Sequence, residues 1–222
     1  GHHKLLLAAV DTVWCAVVGC YVTEDYFLEK EGVFLLIDLL ETCPRSMHNL
    51  ILGCLLDLSE NPKTIPHITA WRGVGDVSAP HLLCKMWRED EQDIGVPREN
   101  NGAIADIQKP LMGKYQERQG VTSLPTHCPS QAVVDVSENM RAKIYGLFCK
   151  IGFIELSGIT TEDHVTLTII EHYLDFKLGE VWTEVVSELE QEQVRPITPD
   201  REALEVITRT VQDRAQHVQD VQ

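Results

Sequence analysis

Residues able to do chemistry are scattered through this chain of 222 residues without converging on a known catalytic pattern. His164 and His172 lie eight positions apart, close to the same face of an expected helix, beside Glu162, Asp163 and Glu171. Proton transfer by such a pair needs a shared pocket and an orienting carboxylate. Capping and solvent-facing histidines are the commoner use of such positions. Cys15 and Cys20 have four residues between them and no C-x-x-C pair occurs, so tetrahedral zinc has no framework. His127-Cys128 would supply half a metal site, with no second half in the sequence. Gly73-Val74-Gly75 lacks the third glycine and the preceding strand of a dinucleotide loop, and reads as a turn. With no G-x-S-x-G, P-loop, H-E-x-x-H or EF-hand pattern, the sequence points to a protein that is not an enzyme and calls for no metal and no cofactor.

Charge says more about partners. The net charge is −15, with acids concentrated in 24–31, 89–93 and 180–192. Such a surface repels phosphate backbones and anionic headgroups, which argues against nucleic acid and membrane as partners. Against that background Lys109, Lys114, Arg118, Arg141, Lys143 and Lys150 gather in one part of the sequence, a candidate surface for an acidic partner segment. The alternative is plain balancing of neighbouring acids. Seven cysteines, an odd count without framework spacing, fit reduced thiols and an intracellular compartment. The apolar run Leu5 to Val22 has membrane-like composition but carries Asp11, costly at bilayer depth. A helix apolar on every side also suits a protein core. Gly1-His2-His3 is not a native start, and an uncovered apolar first helix suggests a piece of a longer protein.

The elements that must position these residues are helical. Expected helices are Leu5 to Cys20; Glu24 to Glu31, with Thr23 as N-cap and Gly32 as stop; Val33 to Glu41, halted by Cys43-Pro44; and Met47 to Leu58. A short helix then follows the Asn61-Pro62 start, and Ala79 to Glu91 follows with Leu82, Leu83, Met86 and Trp87 on one face. From Ile94 to about Asp135 periodicity vanishes among Gly and Pro, with Ile104, Ile107, Leu111 and Tyr115 as apolar anchors. Helices resume after Ser137, after the capping box Thr160–Asp163, at Gly179 and at Thr198-Pro199-Asp200. In the last of these, Leu204, Ile207, Val211, Val218 and Val221 follow heptad spacing, which fits a short coiled coil or packing against the preceding repeat.

Within the first part, one helical pattern occurs twice. Setting Trp14 on Leu52 gives an offset of 38 residues and brings Thr23 onto Asn61. A period of that size, with a short helix between longer apolar ones, predicts armadillo-type repeats. The expected fold is therefore all-α: an armadillo-like α-solenoid over 1–93, a long irregular insertion over 94–135, and a C-terminal helical segment over 136–222 that continues or caps it.

Several longer strings then resemble one family. Glu24-Asp25-Tyr26-Phe27-Leu28-Glu29-Lys30-Glu31-Gly32, Asn61-Pro62-Lys63-Thr64, Cys128-Pro129-Ser130 through Arg141-Ala142-Lys143-Ile144-Tyr145, and His172 to Glu180 are similar to the cilia- and flagella-associated protein 69 family, in the C-terminal part of its armadillo-like region. The resemblance implies an axonemal protein of the central apparatus of motile cilia and sperm flagella, required to build and maintain the flagellum, with other ciliary and axonemal proteins as partners. It implies no catalytic residues. Peptide-binding armadillo proteins carry an asparagine ladder on the third helix of each repeat, whereas the corresponding neighbourhoods here hold Gly19 and Asp57. The expected role is a structural scaffold in the cytoplasmic axoneme; the alternative is a regulatory module that binds short linear peptides. Because tubulin presents an acidic surface too, direct microtubule binding is not expected.

Overall fold

The sequence's repeated apolar helices become two helix triplets. A computed structural model describes residues 2–113 and 139–222. Its first helices are α1 (His2–Val17), α2 (Tyr21–Glu29) and α3 (Gly32–Thr42). A 3-10 turn (Arg45–Met47) leads into α4 (His48–Leu58), α5 (Thr64–Ala70) and α6 (Ala79–Ile94). After the undescribed stretch come α7 (Met140–Ile151), α8 (Thr161–Glu171), α9 (Tyr173–Gln191) and α10 (Thr198–Val221). No strand occurs among the described residues; two isolated bridges, Arg72 with Ser78 and Arg98 with Ile104, close short turns. The described residues are all-α, with the helices repeating in triplets.

The chain forms two compact units, residues 1–87 with 139–163, and residues 88–138 with 164–222. In the first, α4 packs against α1, α3 and α7. That sandwich explains why α4 is apolar nearly all round: Ile51, Leu52, Cys54, Leu55 and Leu58 are all buried. Burying each large aliphatic side chain contributes about 1.5–3 kcal/mol. In α3 the buried set Val33, Leu36, Ile37 and Leu40 follows the three- and four-residue spacing of one helix face. Two glycines let neighbouring helices close up. A Cβ on Gly53 would stand 2.5 Å from the Trp14 ring, and one on Gly146 would stand 3.0 Å from Leu56. α1, α4 and α7 thus form a stack, and α7 resumes on α4 after the long intervening segment.

The second unit is built on α9 and α10, which pair antiparallel: Arg214 meets Asp175 at 2.6 Å, and Gly179 lies under Val211. In it, Leu167, Ile169, Ile170, Tyr173 and Phe176 are buried with Ala215 and Val218. The segment after α6 is pinned at Ile104 and Leu111, both fully buried, with Ile107 half-buried. The Ile104 N–H donates to Gln222 Oε1 at 2.9 Å, and Gln219 Nε2 donates to the Ile104 carbonyl at 2.6 Å. Tyr115, the fourth expected anchor, and Ser137, the expected cap of α7, lie outside the described residues; α7 is capped by Asn139, whose side chain accepts from Arg141 N–H at 2.8 Å.

Local boundaries differ from the sequence expectation at several places: α1 ends at Val17 rather than Cys20, and α5 starts at Thr64 rather than at Pro62. Thr23 does not cap α2, which starts at Tyr21; its hydroxyl donates back to Val17 and Cys20 carbonyls, each at 2.9 Å. Gly32 does not end α2 but opens α3, and Glu31 takes the left-handed turn at φ 59°. Gly32 is needed for another reason: a Cβ there would lie 2.4 Å from the Phe27 ring. Gly179 does not start a helix either. The break falls at His172, and Gly179 lies inside α9. The Thr160–Asp163 capping box is formed, with Thr160 N–H donating to Asp163 Oδ2 at 2.7 Å and Asp163 N–H donating to Thr160 Oγ1 at 3.2 Å.

Candidate functional site

The six basic residues expected to form a partner surface have different fates. Lys114 and Arg118 lie outside the described residues. Lys109 is half-exposed and belongs to the second unit. Lys143 and Lys150 stand on the same side of α7, two turns apart, and both reach residues of the α4 region. Lys143 Nζ donates to Asn49 Oδ1 at 3.2 Å, and Lys150 Nζ meets Glu60 at 2.8 Å. Arg141 is not on a surface at all: it is fully buried, its guanidinium 5.6 Å from the centre of the Trp87 ring. An arginine enters a core when an aromatic face and hydrogen-bond partners replace water. Its place on the buried stripe with Ile144 and Phe148 is the signal that distinguishes it from its neighbours.

Another set of polar side chains does a different job, linking one triplet to the next. Glu24 is buried, and its two oxygens take two donors: Gly19 N–H at 2.8 Å and Asn61 Nδ2 at 3.0 Å. Asn61 Oδ1 in turn accepts from Lys63 N–H at 3.1 Å and shapes the entry to α5. Lys63 Nζ reaches Asp25 at 2.7 Å. Trp14 Nε1 donates to Asp57 at 3.0 Å, and Trp71 Nε1 donates to Asp38 at 2.8 Å. The spacing carries a partial signal: Asp25 and Lys63 stand one 38-residue offset apart. Asp57 is occupied by the indole of Trp14.

Among the described residues, His164 and His172 do not come together in one site. His164 is exposed, while His172 is half-buried and lies 3.4 Å from Asp175, which also holds Arg214. His81, not singled out from sequence, contacts the fully buried Asp163 at 2.6 Å, so that carboxylate oxygen also receives the Thr160 donors. A buried ion pair, Lys177 with Glu180 at 2.6 Å, joins successive turns of α9. Burial pushes the Cys54 thiol up to about 12, keeping it protonated. Hydrogen bonds from Thr23 lower Cys20 from its ordinary value. His127 and Cys128 lie outside the described residues, and among the described ones no three His, Cys, Asp or Glu side chains are grouped to hold a metal ion. Nor is any described helix long and apolar enough to cross a membrane; α1 ends at Val17 after 16 residues.

Helix triplets stacked through a shared apolar interior, with polar links between successive repeats, define a helical-repeat protein of the armadillo class. The family model described as cilia- and flagella-associated protein 69, ARM repeat, matches residues 1–185. The chain belongs to that family. Among its relatives are the cilia- and flagella-associated protein 69 of Homo sapiens, 51% identical over 208 residues, and that of Callithrix jacchus, also 51% identical over 208 residues. In both cases the match covers 94% of this chain and 22% of the relative. The Mus musculus protein is 46% identical over all 222 residues, which make up 24% of its length. The chain thus spans about a quarter of the length of these relatives.

Proposed function

We propose that this chain is part of a non-catalytic structural scaffold of the motile cilium and sperm flagellum, sited in the central apparatus of the axoneme and needed for flagellum assembly and stability. The observation that carries this reading is the family match over 1–185 together with relatives named for cilia and flagella. The physical organisation supports it. Each repeat buries its apolar faces against the next, and Glu24, Asn61, Asp57 and Asp38 are spent on holding helices together. A stack fixed in this way leaves its outer faces for contacts with other ciliary proteins. Lys143 and Lys150 remain candidate partner residues on α7 in the first unit, and Lys109 is a separate candidate in the second.

A net charge of −15 sets the route to the axoneme. Against the acidic tubulin surface, this piece gains nothing from long-range attraction, so the chain reaches microtubules through other proteins. Co-sedimentation tests this: at physiological salt the purified chain stays in the supernatant with bare microtubules. Pelleting with them would refute the indirect route.

A further inference from the structure

The turn between α9 and α10 presents a string that reads as the recognition sequence of a modifying enzyme. Residues 195–201 run Arg-Pro-Ile-Thr-Pro-Asp-Arg, and Thr198-Pro199 is the only Ser/Thr-Pro step in the chain. A proline directly after a hydroxyl residue suits an enzyme pocket that asks for no N–H there, because proline has none to give. The flanks match the same use: Pro196 adds a second rigid, extended position, and Arg201 offers a cation to carboxylates of the enzyme. Such a string does nothing when buried. Here residues 191–203 are exposed apart from the half-buried Pro196 and include Ile197 at 67% exposure. The backbone shape fits as well. Residues 194–197 belong to no helix, and Ile197 is extended at φ −64° and ψ 157°. Thr198 opens α10, but Pro199 disfavours the helical conformation in the residue before it, so this first turn opens readily for an extended binding mode.

The acceptor hydroxyl is placed differently from others in the chain. Exposed threonines inside helices, Thr12, Thr42, Thr183 and Thr210, donate to the carbonyl four residues back. Thr198 is the first residue of its helix and has no earlier turn to receive it. We propose that Thr198 is a phosphorylation site for a proline-directed serine/threonine kinase. Its hydroxyl oxygen attacks the γ-phosphorus of ATP and forms the new P–O bond. The bond from that phosphorus to the β,γ-bridging oxygen breaks, ADP leaves, and the hydroxyl proton passes to the kinase's base. The product carries a charge of about −1.5 to −2 at neutral pH. It sits on the first turn of a 24-residue helix, where N–H groups and the helix dipole favour an anion. Arg201 stands one turn further on, its side chain 63% exposed and 3.9 Å from Glu205, and can turn to the phosphate. Asp200 is the opposing charge in that turn. One solvated carboxylate is outweighed by a guanidinium and the helix terminus together, so phosphorylation tightens the start of α10. The site goes beyond the scaffold reading and does not rest on it.

The purified whole chain is incubated with ATP and, in separate reactions, a mitogen-activated protein kinase or a cyclin-dependent kinase, and the product is mapped by mass spectrometry. At least one of them should place a phosphate on Thr198. A synthetic peptide of residues 192–204 is the reference, and the whole chain should react within about tenfold of its rate. Pro199→Ala, at an exposed position, should slow the reaction by at least about tenfold, and Thr198→Ala should abolish labelling of this segment. Amide exchange then reads the consequence. In the fully phosphorylated chain the first turn of α10 should exchange about threefold more slowly, with α4 unchanged, and Arg201→Ala should remove most of that slowing. The site is overturned if neither enzyme labels Thr198, if Pro199→Ala is labelled as fast as the unaltered chain, or if the peptide outpaces the folded chain by more than that margin. Exchange that stays the same or quickens in the first turn overturns the tightening of α10. No step of this assay involves cilia, so its outcome and that of the ciliary placement are read separately.

Discussion

Glu24 holds the two repeats together with one carboxylate. It accepts from the backbone of the α1–α2 turn and from the Asn61 amide at the entry to α5, and it is only 4% exposed. Glu24→Ala leaves two donors without their acceptor, a loss of about 2–4 kcal/mol in urea unfolding. Glu24→Gln should cost less, since its amide oxygen still serves one donor. Cys54 gives a pH signature. Its thiol is neutral in the folded chain up to about 12 against an ordinary value of 9.0, so the folded form retains a proton that the unfolded form loses. This contribution is complete below pH 9 and is lost as pH rises towards 12. Cys54→Ala should flatten that part of the alkaline decline, measured as urea stability from pH 8 to 11. Residue roles were the least legible part of the sequence. Arg141, grouped with surface lysines by its charge, lies against Trp87 because the helix period places it on the stripe of Ile144 and Phe148. Periodicity outranked residue type there.

Helices with a single apolar stripe or a strong local stop were readable directly. α3 ends before Cys43-Pro44 and α8 begins at its capping box, both as expected. Two of the misread boundaries involve glycines, whose sequence signal is ambiguous between ending a helix and letting another approach. Gly179 is of the second kind: a Cβ there would stand 2.5 Å from Val211 Cγ1. In an open helix, Gly→Ala gains about 1 kcal/mol from propensity. Here Gly179→Ala should lower the melting temperature, and Gly179→Val should lower it further, by about 1–3 kcal/mol in stability, because α10 must be pushed away. A stabilised alanine variant would show that the close approach is absent. The stack of α1, α4 and α7 was only half visible, since no local pattern announces that a helix beyond a long irregular segment packs on one so far back in the chain.

At the scale of the molecule, the armadillo class followed from the 38-residue repetition, while contacts made over long separations did not. Gln219 and Gln222 near the end of the chain hold the backbone of Ile104, and nothing in a glutamine's neighbours marks it for that use. Gln219→Ala with Gln222→Ala should therefore speed hydrogen exchange at the Ile104 amide by about tenfold while α4 amides keep their protection. The polar residues with traceable partners serve internal cohesion, and the scaffold account assigns function to the outer faces. Proximity labelling tests this most directly, with the labelling enzyme fused to the chain expressed in motile ciliated cells. The account predicts that the label concentrates along the axoneme on proteins of the central apparatus, with tubulin a minor product. Labelling confined to the cell body, or dominated by tubulin of the outer doublets, would contradict it.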